Sequence, residues 1–242
     1  MIIRFISDLH LEFYENIDKF LSKFASPMDN EVCILAGDIG DPFKENYDIF
    51  MKFISKTFVK TFVITGNHEY YNSSIEKTNS HLEEYFKQFD NISFLNNKCE
   101  FYENHWFIGT TLWSKITNKE YKINDVDYIS DFDCEKYNKL NEECVKFLND
   151  NIKENSIIIT HHVPSYDLID RHYKRYMFNY NEWFYCNMND FIKDNKDKIK
   201  AWVYGHTHIQ SVKTIEGILF LCNPIGYPTE NPNFSLNSSI II

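Results

Sequence analysis

Side chains that commonly bind metal ions recur at five places in the sequence, each directly after a short apolar run. The five segments are Asp8-Leu9-His10, Gly37-Asp38, Gly66-Asn67-His68-Glu69, His161-His162 and Gly205-His206-Thr207-His208. They contain six of the nine histidines of the chain. Imidazole, carboxylate and amide oxygen suit Mn, Fe or Zn, and the missing thiolates argue against a structural Cys-rich zinc site. The residue types therefore indicate a metal centre with nitrogen and oxygen ligands.

The apolar runs that precede these segments have the length and composition of buried strands. They are Ile2–Ile6, Val32–Ala36, Phe58–Ile64, Ser156–Thr160 and Lys200–Tyr204. Further strands are predicted at 92–95, 98–102, 105–110, 209–215 and 218–222, and helices at about 15–25, 44–56, 73–89, 134–153 and 188–199. This order predicts an α/β fold with two packed mixed β-sheets flanked by helices. Since ligand sites of α/β proteins gather at the carboxyl ends of strands, the five segments are expected to converge.

The composition narrows the class of protein. The 242 residues contain no repeat and no linker-like tract, so we expect a single domain over residues 1–242. A net charge of −10 argues against coating long duplex DNA, which requires many Lys and Arg contacts to phosphates. The six cysteines are scattered, which is typical of reduced thiols. With no apolar run of membrane-spanning length, we expect a cytoplasmic protein with no membrane contact.

The spacing of the polar residues within each segment suggests how the ligands would be divided between two ions. Asp8 and His10 are two residues apart, so both could reach one ion, whereas His206 and His208 could face different ions. Asp38 offers two oxygens and is a natural bridge. Gly37, Gly66 and Gly205 each precede an expected ligand, and a residue without a Cβ permits close approach of the backbone to a ligand.

Taken together and in this order, the five segments resemble the motifs of the calcineurin-like metallophosphoesterase family: D-x-H, G-D, G-N-H-[DE], a histidine after a strand, and G-H-x-H. The likeness extends over about residues 1–230. The segments that extend it are similar to a bacterial-type, largely uncharacterised branch: Ser7–Glu12, Gly109–Trp113, Thr160–Ser165 and Asn223–Tyr227.

The resemblance implies two divalent metal ions, Mn, Fe or Zn rather than Mg. One would be held by Asp8, His10, Asp38 and His208, and the other by Asp38, Asn67, His162 and His206. At the fourth motif we choose His162 over His161, because the ligand in this family often lies two residues before a proline, here Pro164. His161 is then expected beside the ligands or facing the substrate.

The resemblance also implies a mechanism, in which two ions clamp a phosphoryl group and activate a bridging water for in-line attack. Asp38, as the shared ligand, and His68 are the expected catalytic residues, with His68 contacting the phosphoryl oxygens or protonating the leaving oxygen. Glu69 is expected to orient His68 or a ligand. Arg171 and Arg175 belong to a basic and aromatic segment that we expect to overhang the site and grip phosphate.

The sequence favours a hydrolase of phosphomonoesters or small phosphodiesters, acting on a small phosphorylated substrate without an obligatory protein partner. A nuclease or nucleotide phosphodiesterase is the alternative within enzymes, since short nucleic acids and nucleotides remain compatible with the charge. A non-catalytic, protein-binding scaffold on the same fold is a third interpretation. It is disfavoured because every ligand position and His68 are intact.

Overall fold

The computed structural model describes residues 1–24, 30–228, 230–231 and 234–242. Its strands form two sheets. The first has five strands in the order β11-β1-β2-β3-β4, and the second has six in the order β5-β6-β7-β8-β10-β9. The strands are β1 (Ile2–Ile6), β2 (Glu31–Ala36), β3 (Lys60–Ile64), β4 (Ile92–Phe94), β5 (Lys98–Tyr102), β6 (His105–Thr110), β7 (Ser156–Thr160), β8 (Ile199–Tyr204), β9 (Ser211–Ile215), β10 (Ile218–Cys222) and β11 (Ser239–Ile241).

Parallel pairing fixes the direction of the strands that matter for the site. In the first sheet β1, β2, β3 and β4 run parallel, and β11 joins β1 antiparallel. In the second, β6, β7, β8 and β10 run parallel, and antiparallel β5 and β9 form the edges. Both sheets are therefore mixed. The carboxyl ends of the central strands of each sheet lie along one edge, as parallel pairing requires.

The two sheets pack face to face through apolar side chains that alternate along the strands. Ile3, Phe5 and Ile34 of the first sheet share one buried cluster with Phe107 and Ile157 of the second. The rings of Phe62 and Phe107 stack across this interface with centroids 3.8 Å apart. The expected α/β architecture of two packed sheets is confirmed.

Helices cover the outer faces, because their apolar stripes must be buried against a sheet. They are α1 (Ile17–Leu21), α2 (Glu45–Thr57), α3 (Ile75–Tyr85), α4 (Asp125–Tyr128), α5 (Cys134–Asn151), α6 (Arg171–Tyr176), α7 (Asn181–Phe184) and α8 (Asn189–Asp194). Four of them begin at side-chain caps, among them α3, where Ser74 accepts from the amide of Lys77, and α5, where Asp133 accepts from those of Glu135 and Lys136.

Most predicted elements agree with the structure, and the differences lie at their ends. The helix expected at 15–25 spans Ile17–Leu21, and residue 25 lies outside the described residues. The helix expected at 73–89 ends at Tyr85 and continues as a 3-10 turn, Phe86–Gln88. The helix expected at 188–199 ends at Asp194. The short helices α4, α6 and α7 and the strand β11 were missed, because each has too few residues to show a period.

All six cysteines are free thiols, and all except Cys99 are buried. Within the described parts of the chain, none of the helices combines the length and the apolar character that crossing a membrane requires.

Candidate metal centre

The five polar segments meet at the carboxyl ends of β1, β2, β3, β7 and β8, between the two sheets. Five of the expected ligands have a positive φ although none is glycine: Asp8, His10, Asp38, His206 and His208, with φ between 49° and 77°. A left-handed backbone at non-glycine residues costs energy, and such residues cluster at functional sites. Here the turns after three strands bend so that alternate side chains enter the same space.

The first cluster contains Asp8, His10 and His208, whose ligand atoms lie within 4.8 Å of one another. The Nε2 atoms of His10 and His208 are 3.0 Å apart, and His208 Nε2 lies 3.5 Å from Asp8 Oδ1. Asp8 and His10 are completely buried. This is the set that the sequence assigned to one ion together with Asp38.

The second cluster contains Asp38, His161 and His206. His161 Nε2 lies 3.2 Å from His206 Nδ1, 3.1 Å from Asn67 Oδ1 and 3.3 Å from Asp38 Oδ2. Asp38 Oδ2 is also 3.9 Å from His10 Nε2 in the first cluster. One carboxylate oxygen of Asp38 therefore lies between the two clusters, as a bridging ligand would.

Each histidine of the two clusters has one ring nitrogen held by an oxygen acceptor and the other turned towards the cluster. The pairs are His10 Nδ1 with Glu12 Oε1 at 3.2 Å, His208 Nδ1 with Glu230 Oε2 at 2.7 Å, His161 Nδ1 with the Ala36 carbonyl at 3.0 Å, and His206 Nε2 with the Trp183 carbonyl at 3.3 Å. Histidines that bind metals usually donate their other N–H group in this way, which fixes the tautomer and the ring orientation.

His162 occupies a different environment from the one expected. Its Nε2 is 3.0 Å from the Tyr137 hydroxyl and its Nδ1 is 3.3 Å from the Thr111 carbonyl, so both ring nitrogens are already engaged. Burial, together with the charge of His161, lowers the pKa of His162 to about 3 and keeps the ring neutral. The sequence predicted that His162 would face the ligands and that His161 would lie beside them. In the structure His161 faces the two clusters, and His162 is a hydrogen-bonded core residue.

The donor set fits cations. Two imidazole nitrogens 3.0 Å apart need a proton or a metal between them, and two Zn–N bonds of about 2.0–2.1 Å span such a gap. Asp8 Oδ2 is buried and has no hydrogen-bond partner among the described residues. Although burial lowers the pKa of His161, the charge of Asp38 raises it to about 10, so this space favours positive charge. A bound divalent cation would supply that charge and displace the proton.

Two glycines allow the carboxylates to reach this space. A Cβ on Gly66 would lie 2.1 Å from Asp38 Oδ1, and one on Gly205 would lie 2.6 Å from Asp8 Oδ2. Neither distance is sterically allowed, so any side chain at these positions would displace a carboxylate. At these two positions glycine is required because the backbone lies close to a carboxylate oxygen. Turn geometry does not require it, since neither glycine has a positive φ.

Glu69 is a buried anchor for the loop that carries Asp38. Its carboxylate accepts hydrogen bonds from the amides of Asp38 at 3.0 Å, Ile39 at 2.6 Å and Gly66 at 2.6 Å. Burial raises the pKa of Glu69, and the amide hydrogen bonds from Gly66 and Ile39 oppose that effect. Glu69 thus orients the loops of β2 and β3 rather than the His68 ring, and it is not a solvated loop residue.

His68 lies at the edge of the first cluster, where its side chain remains partly accessible. Its ring stacks on Tyr71 with centroids 4.1 Å apart, and Nε2 lies 3.2 Å from the Tyr227 hydroxyl. Nδ1 lies 3.5 Å from Glu12 Oε1. Burial lowers the pKa of His68, but the charges of Asp38 and Glu12 outweigh it and raise the pKa to about 8. The imidazolium form is therefore favoured near neutral pH.

Asp125 determines which end of the Asn67 amide faces the second cluster. Asp125 is completely buried, and its Oδ1 accepts from Asn67 Nδ2 at 2.8 Å and from the Tyr71 hydroxyl at 2.7 Å. Because the amide nitrogen is held by Asp125, Asn67 Oδ1 points to His161 and the cluster. Sequence reasoning gave no role to Asp125, nor to Glu12 and Glu230. Glu12 had a sequence indication, its position two residues after His10.

Replacing Asp125 with alanine is expected to lower kcat/KM for a phosphate ester about 10- to 100-fold, the usual effect of losing a residue that orients a metal ligand. The Asn67 amide would then be free to rotate its nitrogen towards the cluster. Asp127→Ala is the matched control, since Asp127 is exposed on the same short helix. Steady-state kinetics at several metal concentrations measure the effect. Equal activity of the two variants would refute this role of Asp125.

The basic and aromatic segment that was expected to overhang the site forms α6 and the turn after it. Tyr173, Met177 and Tyr180 line a cavity of about 370 Å³ above Asp38, Asn67, His206 and His208. Arg171 and Arg175 are exposed and are not among the residues that line this cavity. The helix therefore presents a tyrosine to the site and its arginines to the solvent.

Comparison with known proteins agrees with this architecture. The family model described as calcineurin-like phosphoesterase matches residues 1–210. The uncharacterised protein L509 of Acanthamoeba polyphaga mimivirus is 36% identical over 266 residues, which cover 97% of this chain and 94% of that protein.

Two solved structures share the fold at low identity. The phosphopantetheinyl hydrolase PptH of Mycobacterium tuberculosis matches with a TM-score of 0.75 and 15% identity over 95% of this chain and 90% of its own. The protein TT1561 of Thermus thermophilus matches with a TM-score of 0.57 and 12% identity, over 92% of this chain and 88% of its own. The ordered motifs, the two-sheet fold and the matched family model agree, and the chain belongs to the calcineurin-like phosphoesterase family.

Proposed function

We propose that this phosphoester hydrolase uses two divalent metal ions to cleave phosphomonoesters or small phosphodiesters. The observation that carries the proposal is the position of Asp38 Oδ2, 3.3 Å from His161 Nε2 and 3.9 Å from His10 Nε2, between two groups of potential ligands. Asp8, His10, Asp38 and His208 would hold one ion. Asp38, Asn67, His161 and His206 would hold the other. The mixed nitrogen and oxygen donors favour Mn, Fe or Zn.

When bound, two such ions supply Lewis-acid stabilisation of the phosphoryl oxygens and make water a stronger nucleophile near neutral pH. The protein holds the ligands in fixed orientations and excludes bulk solvent from the site. The ligands are held in orientation by the hydrogen bonds described above, in which the acceptors belong to Glu12, Glu230, Glu69 and Asp125. Bulk solvent is excluded because Asp8, His10, Asp38 and His161 are buried. Burial also strengthens the charge interactions within the site.

His68 is the group best placed to donate a proton to the substrate or to accept one from it. It contacts the Asp38 loop through its backbone amide, which donates to Asp38 Oδ1 at 2.8 Å. Its ring lies in the cavity wall beside His10, and one of its ring nitrogens lies within 4.8 Å of ligand atoms of His10 and Asp38. From there an imidazolium can donate a hydrogen bond to a phosphoryl oxygen or protonate the leaving oxygen.

Replacing His68 with alanine is expected to leave metal content unchanged and to lower kcat about 10²- to 10⁴-fold, the range for loss of a general acid or base. The ring is not needed to hold Asp38, whose contact is with the His68 backbone amide. His105→Ala, on the β5–β6 hairpin, is the control. Metal analysis of each purified variant accompanies the kinetics. Full turnover in His68→Ala with intact metal content would exclude the proposed role.

The cavity above the ligands supports a small substrate. Its volume is about 370 Å³, near the lower end of ligand pockets, and Lys122 is the only Lys or Arg among the described residues that line it. Long nucleic acids require many phosphate contacts from basic side chains. Together with the net charge of −10, this lining favours a substrate whose single phosphate is bound chiefly by the metal ions.

A substrate panel tests the proposal. The metal-free protein would be loaded separately with Mn, Fe, Zn or Mg and assayed with p-nitrophenyl phosphate, bis-p-nitrophenyl phosphate and nucleotides. We expect hydrolysis that requires Mn, Fe or Zn and is abolished by a chelator. The ratio of monoester to diester turnover separates a phosphatase from a phosphodiesterase. Absence of hydrolysis with every metal would overturn the proposal in favour of a non-catalytic scaffold.

A further inference from the structure

A second cavity adjoins the metal centre on the other side of His68. Its volume is about 360 Å³. It shares His68, Tyr71, Asn124 and Tyr227 with the cavity above the ligands, but none of the seven expected metal ligands lines it. The residues that would bind a phosphoryl group thus lie on one side of His68. A cavity of comparable size, which could hold the remainder of a substrate, lies on the other side of His68.

Aromatic rings form the walls of this second cavity. Phe13 and Tyr128 are 53% and 50% exposed, which is unusual for such large apolar side chains beside a polar centre. Tyr128 stacks on Tyr71 with centroids 5.3 Å apart, and Phe13 meets Tyr227 edge to face at 5.6 Å. The Tyr128 carbonyl also accepts a hydrogen bond from the Asn72 amide at 2.8 Å. The exposed rings are therefore held in place by their neighbours and are available to stack on a planar group.

Three of the polar side chains that line the same cavity make no hydrogen bond or ion pair among the described residues, whereas Glu12, Asp41, His68, Tyr71 and Tyr227 are already paired. The side-chain amides of Asn72 and Asn124 are exposed and make no hydrogen bond within that part of the chain, and Lys44 makes no ion pair there. An amide offers one acceptor and two donors. These are the groups that recognise the hydrogen-bonding edge of a base stacked on an aromatic ring.

We propose that this cavity is the leaving-group subsite and that it takes the nucleoside part of a nucleotide, with the base stacked on Tyr128. The proposal rests on the proposed phosphoesterase function and narrows its substrate class. His68 lies at the boundary between the two cavities, which is where the ester oxygen of such a substrate would be. A leaving group without a base would fill the cavity but would leave its amides without partners.

The test compares kcat/KM for adenosine 5′-monophosphate with that for glycerol 3-phosphate. We expect the wild-type protein to prefer the nucleotide. Tyr128→Ala should lower the ratio about 10- to 100-fold, which is the range of stacking between a base and an aromatic side chain. Phe101→Ala, which removes an equally exposed ring from β5, should leave the ratio unchanged. An unchanged ratio in Tyr128→Ala, with both esters hydrolysed, would overturn the subsite but not the phosphoesterase.

Two further measurements separate the remaining outcomes. Asn124→Ala should weaken turnover of the nucleotide more than that of p-nitrophenyl phosphate, and an equal loss for both would show a general aryl site and overturn the nucleoside assignment. If no ester is hydrolysed, the phosphoesterase proposal fails, and calorimetric titration of adenosine 5′-monophosphate into the chelator-treated protein still decides the subsite. Binding that Tyr128→Ala abolishes supports it, and no binding to the wild-type protein overturns it.

Discussion

Replacing His161 with alanine is expected to lower kcat/KM about 10²- to 10³-fold, whereas replacing the adjacent His162 should leave most of the activity. The expected loss of kcat/KM in His161→Ala is the loss seen when a group that stabilises transition-state charge is removed. His161 Nε2 lies within 3.3 Å of His206, Asn67 and Asp38, so its removal takes a nitrogen donor from the centre of the second cluster.

His162 should instead contribute to the stability of the fold. Its ring is completely buried, with Nδ1 donating to the Thr111 carbonyl and Nε2 accepting from the Tyr137 hydroxyl. The Tyr137 hydroxyl also has a second partner in Ser114 at 3.0 Å. His162→Ala should therefore lower the free energy of unfolding by about 1–3 kcal/mol. Kinetics, metal analysis and urea unfolding of the two variants form a matched comparison. The reverse result, with metal lost in His162→Ala and retained in His161→Ala, would restore the sequence-based assignment.

Replacing Glu69 with alanine is expected to lower the free energy of unfolding by about 3–5 kcal/mol, as a buried hydrogen-bond network that loses its shared acceptor would. Three buried amides, those of Asp38, Ile39 and Gly66, would lose their acceptor at once. An unpaired buried donor costs about 1–3 kcal/mol. A large share of the stability of a domain would thus depend on one carboxylate beside the metal ligands.

Urea unfolding in the presence of a chelator measures the Glu69 effect without a contribution from bound metal. Glu142→Ala, an exposed glutamate on α5, is the control and should change the stability by less than about 0.5 kcal/mol. A loss below about 1 kcal/mol for Glu69→Ala would mean that the loops of β2 and β3 are held by other contacts.

The sequence predicted the strands and the convergence of their ends because both depend on short-range patterns. A buried strand needs only a few consecutive apolar residues, and parallel strands bring their carboxyl ends to one edge without further information. The segments that contain Asp8, His10, Asp38, Asn67, His206 and His208 were placed on this basis, and the choice of these residues as ligands came from the family resemblance. The left-handed turns that aim their side chains could not be foreseen, since the energy that holds Asp8 or His208 at a positive φ comes from the surrounding fold.

The choice between His161 and His162 required information that a sequence does not contain. Both residues follow β7, and successive side chains leaving a strand point in opposite directions. Which of them enters the site depends on where Tyr137 of α5 and the Thr111 carbonyl lie, and these residues are 25 and 51 positions away. The role of Asp125 has the same origin, because its partner Asn67 is 58 residues distant.

The arginines illustrate a different limit. Composition marked the segment around α6 as basic and aromatic, but the face that a short helix presents depends on its packing. Tyr173 and Met177 face the cavity, and Arg175 lies over the ring of Tyr176 at 5.2 Å. A basic residue near a ligand loop in sequence is therefore weak evidence for phosphate binding, whereas an oxygen acceptor on one ring nitrogen of each histidine is the arrangement typical of metal-binding histidines.

The stoichiometry of bound metal tests the central claim most directly. The protein would be stripped with a chelator, equilibrated with Mn²⁺ or Zn²⁺, freed of unbound metal and analysed for metal content alongside phosphoesterase activity. Two ions per chain, with activity that returns only as they bind, is the predicted result. An active protein that holds one ion or none would contradict the account in which Asp38 joins two metal sites.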